Sequence, residues 1–206
     1  MQVILISSKE TGQRSGKSTF VKVFRKYCSY GDVAATEEYE FSYPIKKIVH
    51  EVFGIPMEVL YSDEKETPCG VPIVGLTNNA SPRQLMQWVG TELFRNNFYQ
   101  EIWVDAAYRK IKEFKEENYE YKKSYFLIGD WRFDNEFTFL QNSGIGCLKI
   151  DIIRSNNPFK KSNHASEKSI TIPSEDYDYI IRNDFDLYRY EQTCLEYSQA
   201  IMSLKK

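Results

Sequence analysis

No apolar stretch of this 206-residue chain approaches the roughly 20 residues that a membrane-spanning helix needs. Positive charge is not in surplus: 27 Lys and Arg stand against 29 Asp and Glu, so no global basic field draws the chain to DNA, RNA or an anionic membrane. A C-x-x-C pair is missing as well. Cys28, Cys69, Cys147 and Cys194 are scattered, which argues against a zinc site and for a reduced, intracellular protein. With only two histidines, no metal centre is inferred from imidazoles. No basic flank followed by a long apolar segment opens the sequence, so a secretory signal is not expected. Repeats and an interdomain linker are also absent. What the chain does have is 42% hydrophobic and 15% aromatic residues, enough for one compact domain over 1–206 carrying insertions.

The apolar run VILIS, residues 3–7, reads as a strand buried on both faces, the kind found in parallel sheets. Phe20, Val23, Phe24 and Tyr27 then follow helical spacing. Ile45, Ile48, Val49, Val52 and Phe53 do the same behind Pro44, a good first-turn residue. Residues 54–80 are rich in Pro and Gly and predict a loop with a short hairpin or helix. Ser81-Pro82 opens a further helix as N-cap and first turn, and another is expected over roughly 98–117. SYFLIG (124–129), CLKIDI (147–152) and DYDYII read as three more strands. A last helix puts Leu187, Tyr190, Cys194, Tyr197, Ile201 and Leu204 on one stripe. Strands alternating with helices predict a three-layer α/β fold with a mostly parallel sheet.

Between the first strand and the first helix lies TGQRSGKST, residues 11–19. Its end, Gly16-Lys17-Ser18, matches the P-loop pattern G-x-x-x-x-G-K-[ST], but Thr11 stands where the first glycine belongs. Gly12, one place later, can absorb the tight entry turn in a longer loop. A turn of this kind aims backbone N–H groups and the positive end of a helix at an anion. Lys17 would then reach the β- and γ-phosphates, and Ser18 would ligate Mg²⁺. The competing reading is a glycine-bearing turn with a solvated lysine.

On the helix that begins at Pro82, Arg83, Gln87, Thr91 and Arg95 recur every four residues, with Leu85, Val89 and Leu93 on another side. Two arginine forks flanking an amide and a hydroxyl suit a nucleoside monophosphate; a solvated helix face fits the same pattern. Gly90 interrupts this helix, which implies close approach of another backbone or a ligand. LIGDWRF puts Asp130 at the C-terminal end of a buried strand, the edge where ligands bind in parallel sheets, with Arg132 following. Asp130 can hold the hydration shell of Mg²⁺ or cap a helix. Arg154 leads into the polar, basic segment SNNPFKKSN, which carries Lys160 and Lys161 and exits through His164-Ala-Ser-Glu167. A hinged cationic loop of this kind suits phosphoryl transfer, because it shields developing charge and excludes water; His164 and Glu167 would act as its cap and hinge. Phe41, Tyr43 and Trp103 could stack on a base or pack in the core.

Taken together, these motifs resemble the deoxynucleoside monophosphate kinases of T-even bacteriophages along nearly the whole chain. The shared elements are Arg14-Ser15-Gly16-Lys17; Tyr43-Pro44-Ile45-Lys46; Pro82, Arg83, Gln87, Gly90, Thr91 and Glu92 with Arg95 and Trp103 following; Asp130 to Phe133; His164 to Glu167; and Asn183-Asp184. The resemblance implies a P-loop nucleoside monophosphate kinase fold, with an inserted helical monophosphate-binding region over about 40–115 and a lid over about 154–166. It implies the reaction ATP + dNMP → ADP + dNDP, with Mg²⁺ as cofactor. Gly12, Arg14, Ser15, Gly16, Lys17, Ser18, Thr19 and Asn183 would serve ATP, Asn183 near the adenine. Lys46, Arg83, Gln87, Thr91, Arg95, Trp103 and Asp130 would serve the acceptor, and Lys17, Arg132 and Arg154 the transferred phosphate. Ser18, and Asp130 through water, would hold the metal. The implied partners are small molecules, with no direct nucleic acid and no membrane, in the (host) cytoplasm; aromatic-rich helices are compatible with a homodimer. Two other readings share part of the pattern. A dephospho-coenzyme A kinase has the loop and the lid without the Arg83–Gln87–Arg95 series, and an ATPase acting on DNA would need a basic surface.

Overall fold

The computed structural model describes residues 1–9, 14–30, 34–156 and 170–204. The chain divides into two compact units, Met1–Glu40 with Tyr108–Lys206, and Phe41–Ala107. In the first unit, VILIS lies within strand β1 (Gln2–Ser7), whose Val3 to Ile6 are fully buried. The other strands of its sheet are β2 (Ala35–Tyr39), β5 (Ser124–Ile128), β6 (Cys147–Ile153) and β7 (Tyr179–Arg182). They run parallel in the order β2-β5-β1-β6-β7, with β1 between β5 and β6.

Parallel neighbours need crossovers, and helices supply them on both faces. Helix α1 (Lys17–Ser29) and helix α7 (Leu187–Ser203) share one side. There Phe20, Phe24, Cys28, Tyr190, Cys194 and Ile201 pack on Ile4, Ile6, Leu127, Ile150 and Ile152. The intervening strand residues point the opposite way by the two-residue alternation of a strand. On that opposite face Phe126 meets Phe114 of helix α5 (Ile102–Glu117) edge-on, with ring centres 5.6 Å apart. Helix α6 (Asp134–Asn142) completes that layer beside β6. The three-layer α/β fold with a parallel sheet is therefore as the sequence predicts.

Strand β2 is the main departure. ATEEY has no apolar run, because it is an edge strand paired only with β5, and Glu37 and Glu38 face solvent. Charge on an edge also discourages pairing with another chain.

The second unit has its own core of Val49, Ile55, Leu60, Ile73, Ala80, Leu85 and Val89. Helix α2 (Tyr43–Phe53) ends at Gly54, whose φ of 68° reverses the chain. The stretch 54–80 holds helix α3 (Met57–Tyr61), a 3₁₀ turn (Asp63–Glu66) and a hairpin of β3 (Val71–Ile73) and β4 (Thr77–Ala80). Ser81 then caps helix α4 (Pro82–Gln87) through a reciprocal pair: Ser81 Oγ accepts from the Gln84 N–H, and Gln84 Oε1 accepts from the Ser81 N–H. The division between the units falls within α5. No helix among the described residues is long and apolar enough to cross a membrane.

The sequence periodicity predicts one α-helix through Arg95, but Trp88–Arg95 is π-helical. Asn96 N–H bonds Thr91 O and Tyr99 N–H bonds Phe94 O, each five residues back. Gly90 sits inside this wider turn. A Cβ there would come within 2.7 Å of Ile45 Cδ1, so the glycine admits a side chain of α2, and not the backbone or ligand that the sequence suggests.

Candidate active site

The loop after β1 is held by its carbonyls. Arg154 Nη1 donates to Arg14 O at 3.1 Å, Asn183 Nδ2 to Ser15 O at 2.8 Å, and Tyr190 Oη to Gly16 O at 3.1 Å. In a trans peptide each N–H points opposite its carbonyl. Pinning three successive carbonyls to β6, β7 and α7 therefore turns the N–H groups of Ser15, Gly16 and Lys17 the other way, as an anion-binding nest requires. Arg14 contributes a φ of 52° and Gly16 a φ of 109°, left-handed values that curl the loop into the start of α1. Burial pushes the Tyr190 hydroxyl far above the ordinary tyrosine value, so it remains a donor at every working pH.

Arg14, Ser15, Gly16, Lys17, Ser18, Thr19, Arg154 and Asn183 are thus brought together around one pocket of about 350 Å³, closed by Phe185, Leu187 and Tyr190. Lys17 Nζ donates to Ser8 Oγ at 2.5 Å and reaches Ser15 Oγ at 3.4 Å, so hydroxyls at both ends of the loop hold its ammonium. Behind Ser8, the buried Asp151 accepts from Ser7 Oγ at 2.7 Å and from the Lys9 N–H at 2.9 Å. One carboxylate from β6 therefore fixes the last residues of β1 before the loop. Gly12 and Thr11 lie outside the described residues.

Asp130 and Arg132 follow β5 and do not line this pocket. The turn carrying them is set by Glu136, fully buried in α6, whose Oε2 accepts the N–H groups of Arg132 and Phe133 at 3.1 Å each. Of the lid expected over 154–166, Arg154 to Asn156 are described. Lys160, Lys161, His164 and Glu167 lie outside the described residues. The entry to that segment is fixed, since Asp184 accepts from Ser155 N–H at 2.6 Å and from Ser155 Oγ at 3.0 Å. Asn183 and Asp184 thus tie, side by side, the phosphate loop and the start of the basic segment.

In the second unit the predicted acceptor residues separate into two groups. Lys46 and Arg83 gather near the 3₁₀ turn: Lys46 Nζ stands 3.7 Å above the Tyr61 ring centre, and Arg83 Nε donates to Glu66 Oε1 at 2.5 Å. Gln87 and Thr91 are half-buried farther along the helix. Arg95 is buried and donates to Gln100 O at 3.3 Å, holding the turn before α5. Of the two readings of Trp103, the structure shows packing: it is 4% exposed, donates Nε1–H to Gly90 O at 2.8 Å and lies against Phe94. Its indole is core. Phe41 is also buried, while Tyr43 stays exposed.

Several contributors escape sequence reasoning. Tyr190 fits the apolar stripe of α7 and gives no sign that its hydroxyl reaches the loop. Asp151 leaves a trace, a lone acid inside the apolar strand CLKIDII, yet its Ser7 partner lies 144 positions away. Lys65 and Glu66 sit in a charged stretch, DEKE, that reads as solvated surface.

Comparison with known proteins places this geometry. Residues 61–193 match the family model described as deoxynucleotide monophosphate kinase. That span contains the α4 helix, Asp130, Arg154 and Asn183, and it starts after the loop at residues 14–18, which the family match does not cover. A relative from Enterobacteria phage T4, named deoxynucleotide monophosphate kinase, is 31% identical over 107 residues, which is 52% of this chain and 41% of the relative. The match therefore spans less than half of that relative's length. In fold, the chain is similar to a dephospho-CoA kinase from Campylobacter jejuni, with a TM-score of 0.51 and 14% identity over 97% of both chains. The family match covers well over half of the sequence, and the chain belongs to the deoxynucleotide monophosphate kinase family.

Proposed function

We propose that this chain is an ATP-dependent deoxynucleoside monophosphate kinase, converting ATP and a dNMP to ADP and a dNDP. The observation that carries this reading is the run of three pinned carbonyls beside Lys17, which presents backbone N–H groups and an ammonium to a polyphosphate. Family membership and the name of the phage T4 relative support the acceptor class.

In this reading the first unit holds ATP, and Phe41–Ala107 is the monophosphate-binding region, with Lys46, Arg83, Gln87 and Thr91 on the acceptor. Asn183 serves ATP through the loop it braces. An oxygen of the acceptor phosphate attacks the γ-phosphorus, forming one P–O bond while the bond to the β–γ bridging oxygen breaks, and ADP leaves. The acceptor oxygen is already anionic and asks for no strong base, so the protein contributes position and positive charge. Lys17, Arg132 and Arg154 supply that charge. The donor set suits Mg²⁺, which takes hard oxygens and keeps most of its waters: a serine hydroxyl at Ser18, a carboxylate at Asp130, and no cluster of three or more His, Cys, Asp or Glu among the described residues. Ser18 directly, and Asp130 through water, would hold it, and the ion would neutralise the β- and γ-oxygens of ATP.

An ADP-release assay with ATP and Mg²⁺, run across all deoxy- and ribonucleoside monophosphates and dephospho-coenzyme A, tests the reading. Turnover with at least one deoxynucleoside monophosphate is expected. Turnover with dephospho-coenzyme A alone, or with no acceptor, would replace it. On the best acceptor, Arg83→Ala should raise the acceptor KM by about 10-fold or more and leave the KM for ATP nearly unchanged. Equal effects on both would remove α4 from the acceptor site. Tyr190→Phe keeps the buried ring and deletes one hydrogen bond to Gly16 O, which retains its bond from the Phe20 N–H. Its expected effect is smaller, a rise of about two- to tenfold in the KM for ATP with the acceptor KM unchanged.

A further inference from the structure

In the second unit, three cations converge from three elements: Lys46 from α2, Lys65 from the 3₁₀ turn and Arg83 from α4, with α4 packed against both of the others. None is a loose surface charge. Lys46 is 8% exposed, the Arg83 side chain 15%, and Lys65 is half-buried. Burial, and then the nearby charge of Arg83, hold the Lys65 ammonium below its ordinary pKa; Lys46 adds to the depression, while Glu66 and Asp63 oppose it. The charges of Arg83 and Lys46 thus both reach Lys65.

The group that meets Arg83 in this arrangement is the Glu66 carboxylate, at 2.5 Å from Nε. Glu66 is itself half-exposed, at 50%, and is tethered only through a short 3₁₀ turn. Its two oxygens offer the guanidinium the planar, bidentate-competent acceptor that a phosphate also offers, but with one negative charge where a phosphate dianion brings two. Successive residues of a 3₁₀ turn point about 120° apart, so Glu66 can rotate off Arg83 while Lys65 stays beside it.

We propose that Glu66 occupies, on Arg83, the place taken by the phosphate of the incoming nucleoside monophosphate, and that Lys65 joins Lys46 and Arg83 as the third cation holding that phosphate. This rests on the reading of Phe41–Ala107 as the acceptor-binding unit. The phosphate displaces a half-solvated carboxylate, and the site gains net negative charge where Lys46, Lys65 and Arg83 converge. Acceptors without a phosphate dianion cannot make the exchange, so the carboxylate doubles as a filter against nucleosides.

The test is steady-state kinetics on the best acceptor of the panel, with Arg83→Ala as the marker of the acceptor site. Lys65→Met keeps the aliphatic stem and removes the charge. It should raise the acceptor KM by about tenfold with the KM for ATP unchanged, and Lys65→Arg should stay within about twofold of the parent. Glu66→Gln should lower the acceptor KM by about two- to fivefold, the modest gain expected when a half-exposed ionic competitor is removed. If Arg83→Ala raises the acceptor KM while Lys65→Met leaves it unchanged, the third cation is wrong and the acceptor reading stands. If Glu66→Gln raises the acceptor KM, Glu66 positions Arg83 and does not compete for it. If Arg83→Ala itself spares the acceptor, the reading of the unit falls with the proposal.

Discussion

Lys17→Ala should abolish the proposed phosphoryl transfer, lowering kcat by about 10³-fold or more, while the protein stays folded. The size follows from position: Lys17 opens α1, and its ammonium is the cation set among the loop's own N–H groups. Removing one donor aimed at developing charge typically costs about 10²- to 10³-fold, and here the donor carries a full charge toward a polyphosphate. The fold should be indifferent. The side chain is partly exposed, and its hydrogen bonds to the hydroxyls of Ser8 and Ser15 lie outside the cluster of Phe20, Phe24 and Tyr190 that packs α1. Circular dichroism and thermal melting should therefore match the parent within a few degrees. Turnover retained within tenfold would show that the loop binds something other than the transferred phosphate.

Gly16→Ala should cost both stability and ATP affinity. At a φ of 109° an L-residue is strained, and a Cβ would stand 2.6 Å from Asn183 Nδ2 and 2.7 Å from Tyr190 Cε1. Strain and overpacking together come to about 2–4 kcal/mol. For a domain of this size that is a fall in Tm of roughly 5–15 °C. Relief of the clash must push Asn183 and Tyr190 back, and these are the groups that turn the Ser15 and Gly16 carbonyls away from the pocket. The stabilisation of the variant by added ATP in a thermal shift should accordingly shrink or vanish. A variant that melts and binds like the parent would mean the loop is not gripped from β7 and α7.

The parts of the molecule that the sequence reveals are those governed by local pattern. VILIS and SYFLIG are continuous apolar runs and became β1 and β5; Ser81-Pro82 is a local capping signal and became the start of α4. The π-helical turn was hidden because Leu85, Val89 and Leu93 fit a helical spacing and nothing in that spacing marks a wider turn. Gly90 marked that turn, but the residue it makes room for, Ile45, belongs to a different helix. In the site, Gly16, Lys17 and Ser18 are legible since one short motif contains them. Asn183 was legible only through the Asn183-Asp184 step of the resemblance, as an ATP residue; that it and Tyr190 brace the loop was not, because they meet it across 168 and 174 positions. Trp103 was open to two readings, stacking on a base or packing in the core, and its local sequence did not distinguish them; it packs.

The attachment of the loop to β7 and α7 has a bearing on synthesis. The G-K-S motif is synthesised well before two of the side chains that turn its carbonyls, which come some 165 residues or more later. A nascent chain that has not yet reached residue 183 carries the motif and much of the parallel sheet, but lacks two of the anchors that shape the cradle. On the reading proposed above, nucleotide capture is thereby expected to await β7 and α7.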